Sequence, residues 1–179
     1  MALDIQTNRN TQSWTKREKL GRLLWAVAVP FFRLSPRPLW RWRVWLLKLF
    51  GAKIGKRVHL FPSVQITIPW NLSIGDDSAV GHAVILYALG SITIGERVTV
   101  SQGAHICAGS HDISLKHRPL IKPPVKIGQD VWVCADAFIG PGVEIQKSAI
   151  VGARSVVTRN VEAFAIVVGN PATTVRYVN

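Results

Sequence analysis

The densest polar chemistry after the N-terminal 53 residues lies in residues 110–126, and His111 stands at the start of this segment. An imidazole near its unperturbed pKa of about 6.5 can take a proton from a hydroxyl group and return it to a leaving group. Acyl transfer from a thioester to an alcohol uses this chemistry. Residues 113–126 contain no acid, so a carboxylate partner must be Asp112 or come from elsewhere in the protein, and we take His111 and Asp112 as the candidate catalytic pair. A solvated loop histidine bonded to Asp112 is the alternative.

This segment interrupts a repeat that dominates the second part of the chain. A period of six fits neither an α-helix nor a pleated strand, and it is typical of the hexapeptide β-helix. If three hexads make one triangular turn, each inward aliphatic side chain stacks on its counterpart 18 residues away. The unbroken run is Ile127, Val133, Ile139, Ile145, Val151 and Val157, preceded by three partial sets that start at Ile54, Ile74 and Ile94. A long loop in such a regular coil usually serves binding or catalysis.

The pattern divides the chain into three parts. Residues 1–53 form a basic, tryptophan-rich helical arm, residues 54–163 form the β-helix with its loop at 110–126, and residues 164–179 form a C-terminal extension. We expect helices over residues 14–34, broken at Pro30, and over residues 39–50. The two cysteines, Cys107 and Cys134, make neither a disulfide framework nor a zinc site, and a cytoplasmic protein is the simple interpretation.

The arm holds eleven Lys and Arg against two Asp and Glu, together with five of the seven tryptophans. Tryptophan beside arginine on short amphipathic helices suits a membrane interface. The alternative is that these tryptophans cap the open end of the β-helix and pack on a neighbouring subunit. The longest apolar run, residues 23–32, is well short of the roughly 20 residues needed to span a bilayer. The start does not resemble a signal peptide, and no nucleic-acid-binding module is recognisable.

From about residue 74 to residue 176, the chain resembles the hexapeptide-repeat acetyltransferases that use acetyl-CoA, such as the galactoside and maltose O-acetyltransferases. It is similar in particular to the colanic-acid-type exopolysaccharide O-acetyltransferases. The motifs that carry this resemblance are SHD at 110–112, PVKIG at 124–128, VWV at 131–133, GPGV at 140–143 and GNPA at 169–172. The resemblance implies a left-handed β-helix, a homotrimer with active sites between subunits, and no required metal. It also implies acetyl transfer to a sugar hydroxyl in surface polysaccharide synthesis.

The resemblance also implies roles for single residues. His111 corresponds to the general base, and Trp132 to a tryptophan beside the pantetheine arm of the cofactor. The other expected cofactor-binding residues are Ala135, Ala153, Thr158, Arg159 and Arg176, and the weak acceptor-binding candidates are Tyr87 and His82. Corner packing is the alternative for Trp132, and plain solvent exposure is the alternative for the arginines.

Three other functions compete with this one. A zinc enzyme of the β-helical carbonic anhydrase type needs three converging histidines, but His59, His82 and His105 fall at hexad positions 6, 3 and 6 and should not line one edge. A non-enzymatic trimeric scaffold with a membrane-binding arm would need neither His111 nor Trp132. N-acetylation of an amino sugar would use the same base. The basic loop would suit a phosphate-bearing or acidic acceptor, such as a lipid-linked sugar.

Overall fold

The N-terminal arm folds into three helices. The computed structural model describes residues 3–178. The helices are α1 (Ile5–Asn10), α2 (Lys16–Arg33) and α3 (Trp40–Leu49). A capping box starts α2, since the Thr15 hydroxyl accepts from the Glu18 N–H and the Glu18 carboxylate accepts from the Thr15 N–H. Such a box satisfies two backbone donors that a helix start leaves free.

After the arm, the chain consists of short strands separated by turns and loops, with a 3₁₀ turn at Pro69–Asn71. The strands are β1 (Lys53–Ile54), β2 (His59–Leu60), β3 (Gln65–Ile66), β4 (Leu72–Ile74), β5 (Ala79–Val80), β6 (Ile85–Tyr87), β7 (Ile92–Ile94), β8 (Thr99–Val100), β9 (His105–Cys107), β10 (Ser110–His111), β11 (Leu120–Ile121), β12 (Val125–Ile127), β13 (Trp132–Val133), β14 (Phe138–Ile139), β15 (Glu144–Ile145), β16 (Ile150–Val151), β17 (Val156–Val157), β18 (Ala165–Gly169) and β19 (Ala172–Tyr177).

These strands stack into three long sheets. Sheet A has the order β1-β4-β7-β12-β15, sheet B has the order β2-β5-β8-β13-β16-β18-β19, and sheet C has the order β3-β6-β9-β14-β17. All neighbours in them are parallel except β18 and β19. Because successive strands enter sheets A, B and C in turn, each coil adds one strand to each sheet. This is the parallel β-helix that the hexad repeat predicts, and the expected fold class is confirmed.

The inward aliphatic residues form columns inside the coil. In sheet B, for example, Leu60, Val80, Val100, Val133 and Val151 are in register from coil to coil, and all are buried. Side chains on the opposite face of each strand point outward, as the period of two within a strand requires. The hydrophobic core is therefore a continuous rod along the axis of the coil.

The first coils are longer than the 18-residue turn expected from the repeat. Ile54 pairs with Ile74, and Ile74 pairs with Ile94, a spacing of 20 residues, whereas Ile127 pairs with Ile145 at the expected 18. The two extra residues lie between sheets C and A. They allow a second aliphatic side chain, such as Leu72 beside Ile74, to be buried in the wall of sheet A.

Helix α2 does not break at Pro30, contrary to the sequence-based expectation. Trp25 and Phe32, on either side of the proline, are both buried against the coil. The Trp25 indole N–H also donates to the Ile66 carbonyl at 2.8 Å. This packing outweighs the loss of one helical hydrogen bond that an internal proline causes.

Arg43 of α3 ties the arm to the first coil and to the turn before α3. Its side chain is fully buried, and its guanidinium donates to the Leu60 carbonyl at 2.7 Å and to the Ser35 hydroxyl at 2.7 Å. It also donates to the carbonyls of Pro36 and Arg37. The arm thus covers one end of the hydrophobic rod.

Two segments leave the regular coil. Strands β10 and β11 form an antiparallel hairpin outside the three sheets, and Val125 is already back in sheet A, so the excursion is shorter than the expected 110–126. Strand β18 continues sheet B, and β19 turns back along it. Among the helices of residues 3–178, none has the length and apolar character that a bilayer crossing requires.

Candidate active site

The hairpin β10–β11 presents His111 at the edge of the coil. The chain leaves sheet C after β9 and returns to sheet A at β12, so the hairpin stands at the corner between these two sheets. His111 pairs with Leu120 across the hairpin, and the Asp112 N–H donates to the Pro119 carbonyl at 3.0 Å. The imidazole is therefore exposed but carried on hydrogen-bonded backbone.

The imidazole of His111 has a defined tautomer. Its Nδ1 lies 2.7 Å from the Arg118 carbonyl oxygen. A carbonyl oxygen only accepts hydrogen bonds, so Nδ1 must carry the proton in the neutral ring. The lone pair is then on Nε2, which is the nitrogen left to act as a base.

The carboxylate of Asp112 bonds to Ser114, within the loop, and not to the imidazole of His111. Its carboxylate accepts from the Ser114 hydroxyl at 2.6 Å and from the Ser114 N–H at 2.9 Å. These two bonds hold the pKa of Asp112 below its usual value, the hydroxyl having the larger effect. The expected His111–Asp112 pair is adjacent in sequence, but the partner of the imidazole is the Arg118 carbonyl.

The N-terminal arm lies against this loop, and the two segments line an open cavity of about 360 Å³ beside His111. One wall comes from the arm, including Asp4, Ile5 and Asn8. The other comes from the loop, including the basic side chains of Lys116, His117 and Arg118. This contact was not predictable from the sequence, because the arm and the loop are about 110 residues apart and meet through backbone carbonyls.

The two acceptor-binding candidates lie at different places. Tyr87 ends strand β6 in register with Cys107, close to the root of the hairpin, and its ring is edge-on to His105. His82 lies in the turn between sheets B and C, where its Nδ1 is 2.7 Å from the Ser63 hydroxyl. Only Tyr87 is near the segment that carries His111.

The expected pantetheine-binding residues occupy sheet B and the corner between sheets B and C. Trp132 is 48% exposed on the outer face of β13, and its indole N–H donates to the Ser101 hydroxyl at 2.9 Å. Ala135 and Ala153 follow Val133 and Val151, which are in register, so the two alanines stack at the same corner. The corner is narrow and free of large side chains at these positions.

The expected nucleotide-end residues are farther along the coil and all exposed. Thr158 and Arg159 follow β17 at the corner between sheets C and A. Arg176 lies on β19, paired with Ile166. Within one chain, His111 and Trp132 therefore lie on different faces of the coil, whereas Thr158 and Arg159 lie at the same C–A corner as the hairpin. The described residues hold no group of three or more His, Cys, Asp or Glu placed to share a metal ion.

Comparison with known proteins agrees with this architecture. Residues 124–159 match the family model described as bacterial transferase hexapeptide (six repeats). The chain is 47% identical over 155 residues to the putative colanic acid biosynthesis acetyltransferase WcaF of Escherichia coli K12, covering 87% of this chain and 85% of that protein. It is 25% identical over 137 residues to the galactoside O-acetyltransferase of the same organism, covering 75% and 68%.

Two solved structures have the same fold. A galactoside acetyltransferase in complex with coenzyme A superposes with a TM-score of 0.85 at 23% identity, covering 98% of this chain and 89% of that one. A hexapeptide-repeat acetyltransferase of Vibrio cholerae in complex with acetyl-CoA gives 0.86 at 22% identity, covering 97% and 95%. Together with the 47% identical relative, these matches confirm the resemblance read from the motifs: the chain belongs to the hexapeptide-repeat acetyltransferases.

Proposed function

We propose that this acetyltransferase moves the acetyl group of acetyl-CoA to a sugar hydroxyl in exopolysaccharide synthesis, with His111 as the general base. The observation that carries the proposal is the bond from His111 Nδ1 to the Arg118 carbonyl. It leaves Nε2 unprotonated and exposed beside a cavity of about 360 Å³. The relative with 47% identity is named for colanic acid biosynthesis, which favours a saccharide acceptor.

In the proposed reaction, Nε2 of His111 takes the proton of the acceptor hydroxyl as its oxygen attacks the thioester carbonyl carbon. The tetrahedral intermediate places negative charge on the former carbonyl oxygen, where nearby backbone N–H groups can stabilise it. When the C–S bond breaks, the imidazolium returns its proton to the CoA sulfur. The products are the acetyl ester and the free thiol.

Direct transfer needs no covalent enzyme intermediate. Burial raises the pKa of the Cys134 thiol, which disfavours the thiolate that a nucleophile requires. The Cys107 thiol is 3.3 Å from the Gly109 carbonyl. We expect a ternary complex of enzyme, acetyl-CoA and acceptor.

We assign donor binding to the residues that the family resemblance indicates. Trp132 offers an exposed aromatic face for the thin pantetheine arm. The small side chains of Ala135 and Ala153 allow it to approach the backbone. Arg159 and Arg176 can each hold a phosphate through two hydrogen bonds. Thr158, which precedes Arg159 in the chain, is assigned to the nucleotide end with it.

A homotrimer would bring the base and the donor-binding residues together. The outer faces of sheets B and C carry Trp132, Ile150, Phe138 and Val156, whereas the outer face of sheet A carries charges such as the Lys126–Glu144 ion pair. Packing sheet B of one subunit against sheet C of the next would bury the apolar faces. It would leave sheet A in water.

The loop chemistry favours an anionic acceptor. Lys122 is directed to the arm, where its ammonium donates to the Ser13 carbonyl at 3.2 Å and lies over the Trp14 ring. Lys116, His117 and Arg118 line the cavity beside His111. A lipid-linked sugar diphosphate or a uronic acid would complement these cations. Tyr87, near the root of the hairpin, is the better placed of the two acceptor-binding candidates, and we keep His82 as the weaker one.

The arm would hold such an enzyme at the inner face of the membrane. Ten large apolar side chains are exposed on α2, on α3 and in the turn between them, a set that we call the outward face: Leu20, Leu23, Leu24, Val27, Phe31, Leu34, Leu39, Trp42, Trp45 and Leu49. The Trp42 indole N–H donates to the Phe31 carbonyl and joins the two helices. Exposed cations such as Lys19, Arg33 and Arg41 flank this face. An anionic bilayer matches both features, whereas a second copy would oppose cation to cation.

Vesicle binding tests the membrane assignment. We expect the protein to co-sediment with phosphatidylglycerol-containing vesicles, more weakly with pure phosphatidylcholine, and less at high salt. Changing Phe31→Glu together with Trp45→Glu should weaken this binding at least about tenfold, since two apolar anchors are lost. Val175→Glu, an equally exposed apolar site on β19, is the control. Equal vesicle binding by the wild type, the double variant and the Val175→Glu control would overturn the assignment. The absence of binding by the wild type would overturn it as well.

Calorimetry with acetyl-CoA tests donor binding without knowledge of the acceptor. Trp132→Ala and Arg159→Ala should each weaken binding by about 1–2 kcal/mol, the scale of one aromatic contact or one charged hydrogen bond. Trp45→Ala and Arg33→Ala, which change exposed residues of the arm, are the matched controls. Binding that is unaffected by the first pair would place the cofactor elsewhere.

A further inference from the structure

The arm holds the base-bearing loop through three consecutive backbone carbonyls. The Asp4 N–H donates to the Lys116 carbonyl at 3.1 Å. The Asn8 side-chain amide donates to the His117 carbonyl at 2.6 Å and to the Arg118 carbonyl at 2.7 Å. Helix α1, which carries Asn8, thus contacts the loop at the residues that face His111.

The orientation of the Asn8 amide follows from its partners. Both are carbonyl oxygens, which only accept hydrogen bonds. The NH₂ group of Asn8 must therefore face the loop, because its own oxygen in that position would be repelled by two others. Asn8 is also half-buried between arm and loop, whereas Asn10 on the same helix is exposed.

One carbonyl oxygen connects Asn8 to His111. The Arg118 oxygen accepts from Asn8 Nδ2 and from His111 Nδ1, each at 2.7 Å, and so uses both of its lone pairs. Arg118 has a positive φ of 41°, a conformation that is unfavourable for a residue with a side chain. The direction of this carbonyl therefore depends on the contacts that hold it.

From this geometry we infer that Asn8 is a positioning residue for His111, acting through the carbonyl oxygen of Arg118. Asn8 fixes the direction of the carbonyl, and the carbonyl fixes the ring orientation and the Nδ1–H tautomer of the base. The inference rests on the proposed role of His111 as general base. It adds a requirement that the arm be docked before the base is correctly presented.

The test is the tautomer of His111, read from the ¹⁵N chemical shifts of its ring nitrogens in the full-length protein. A His111→Gln variant identifies the signals among the five histidines. In the wild type with the ring neutral, Nδ1 should appear protonated. Asn8→Leu removes the donor, and Asn8→Asp places a carboxylate against two carbonyls. Both should move the His111 signals towards a mixture of tautomers, whereas Asn10→Leu should leave them unchanged.

Steady-state kinetics on a de-O-acetylated exopolysaccharide oligosaccharide gives a second measurement. The Asn8 variants should lower kcat about 10- to 100-fold, as expected for a misplaced catalytic group. Their KM for acetyl-CoA should stay within about twofold, because the donor contacts lie on other elements. An unchanged His111 tautomer in both folded Asn8 variants would overturn the inference. Retained transfer by His111→Ala would instead overturn the proposed function and leave the tautomer result standing.

Discussion

At the scale of single residues, His111 and Asp112 have different surroundings although they are neighbours in sequence. The imidazole of His111 is bonded to a backbone carbonyl, and the carboxylate of Asp112 is bonded to Ser114. A backbone carbonyl carries no formal charge, so it fixes the tautomer of the ring without the strong charge stabilisation that a carboxylate gives to imidazolium. The structure thus assigns Asp112 to the turn of the loop.

Replacing Asp112 should accordingly lower kcat much less than replacing His111. We expect Asp112→Asn to lower kcat by less than about tenfold, well below the 10²-fold minimum typical of general-base loss. The pKa of Asp112 is lower in the folded protein than in the unfolded chain, so ionised Asp112 stabilises the fold at pH values above the pKa of the unfolded chain. This stabilisation is lost as the pH falls through the pKa of the folded protein. Asp112→Asn should therefore leave the pH–rate profile near neutrality in place. A shift of that profile, measured between pH 6 and 8, would show that Asp112 acts on the base.

At the scale of elements, the coil was predictable from the sequence and the arm contacts were not. Inward positions such as Val133 and Ile139 are buried and recur with the local period of six. The hexad pattern therefore predicts the strands without any knowledge of distant contacts. The 20-residue coils were not predicted because Leu72 and Ile92 keep the six-residue phase, and a new set starts two residues later at Ile74 and Ile94. The pattern alone shows only that the phase restarts there, and it does not reveal that both aliphatic residues are buried in one strand.

The loop and arm depend on contacts between distant segments. His111 could be singled out because its residue type and its place at the end of a repeat both point to chemistry. Asn8 could not, because a side-chain amide that bonds to backbone carbonyls has no sequence signature. The continuity of α2 through Pro30 has the same origin, since it depends on the packing of Trp25 and Phe32.

Arg43 gives an element-scale prediction for stability. Arg43→Met should leave the Ser35 hydroxyl and the carbonyls of Leu60, Pro36 and Arg37 without their donor. Unsatisfied buried groups of this kind cost about 1–3 kcal/mol each, so we expect the free energy of unfolding to fall by about 2–4 kcal/mol after partial relaxation. Urea denaturation measures this change.

Arg41→Met, two residues earlier on the exposed side of α3, is the control for Arg43→Met. It should change the free energy of unfolding by less than about 0.5 kcal/mol. A similar small effect for Arg43→Met would mean that the arm is held by its apolar contacts alone.

At the scale of the whole molecule, the proposed function requires association. One chain carries His111 at the corner of sheets C and A, and it carries Trp132 on sheet B. We expect a solution mass near three times the 19.8 kDa chain, measured by light scattering after size exclusion. Phe138→Glu, on the outer face of sheet C, should shift this mass towards the monomer and reduce activity together. Full activity in a monomer would contradict a site shared between subunits.

The central claim is that His111 is the base in acetyl transfer, and the most direct measurement compares wild type with His111→Ala. Release of CoA thiol is followed with acetyl-CoA and de-O-acetylated exopolysaccharide oligosaccharides, and acetyl-CoA affinity is measured in parallel by calorimetry. We predict a loss of at least about 10²-fold in kcat with nearly unchanged acetyl-CoA affinity. Transfer by His111→Ala within about threefold of wild type would contradict the mechanism.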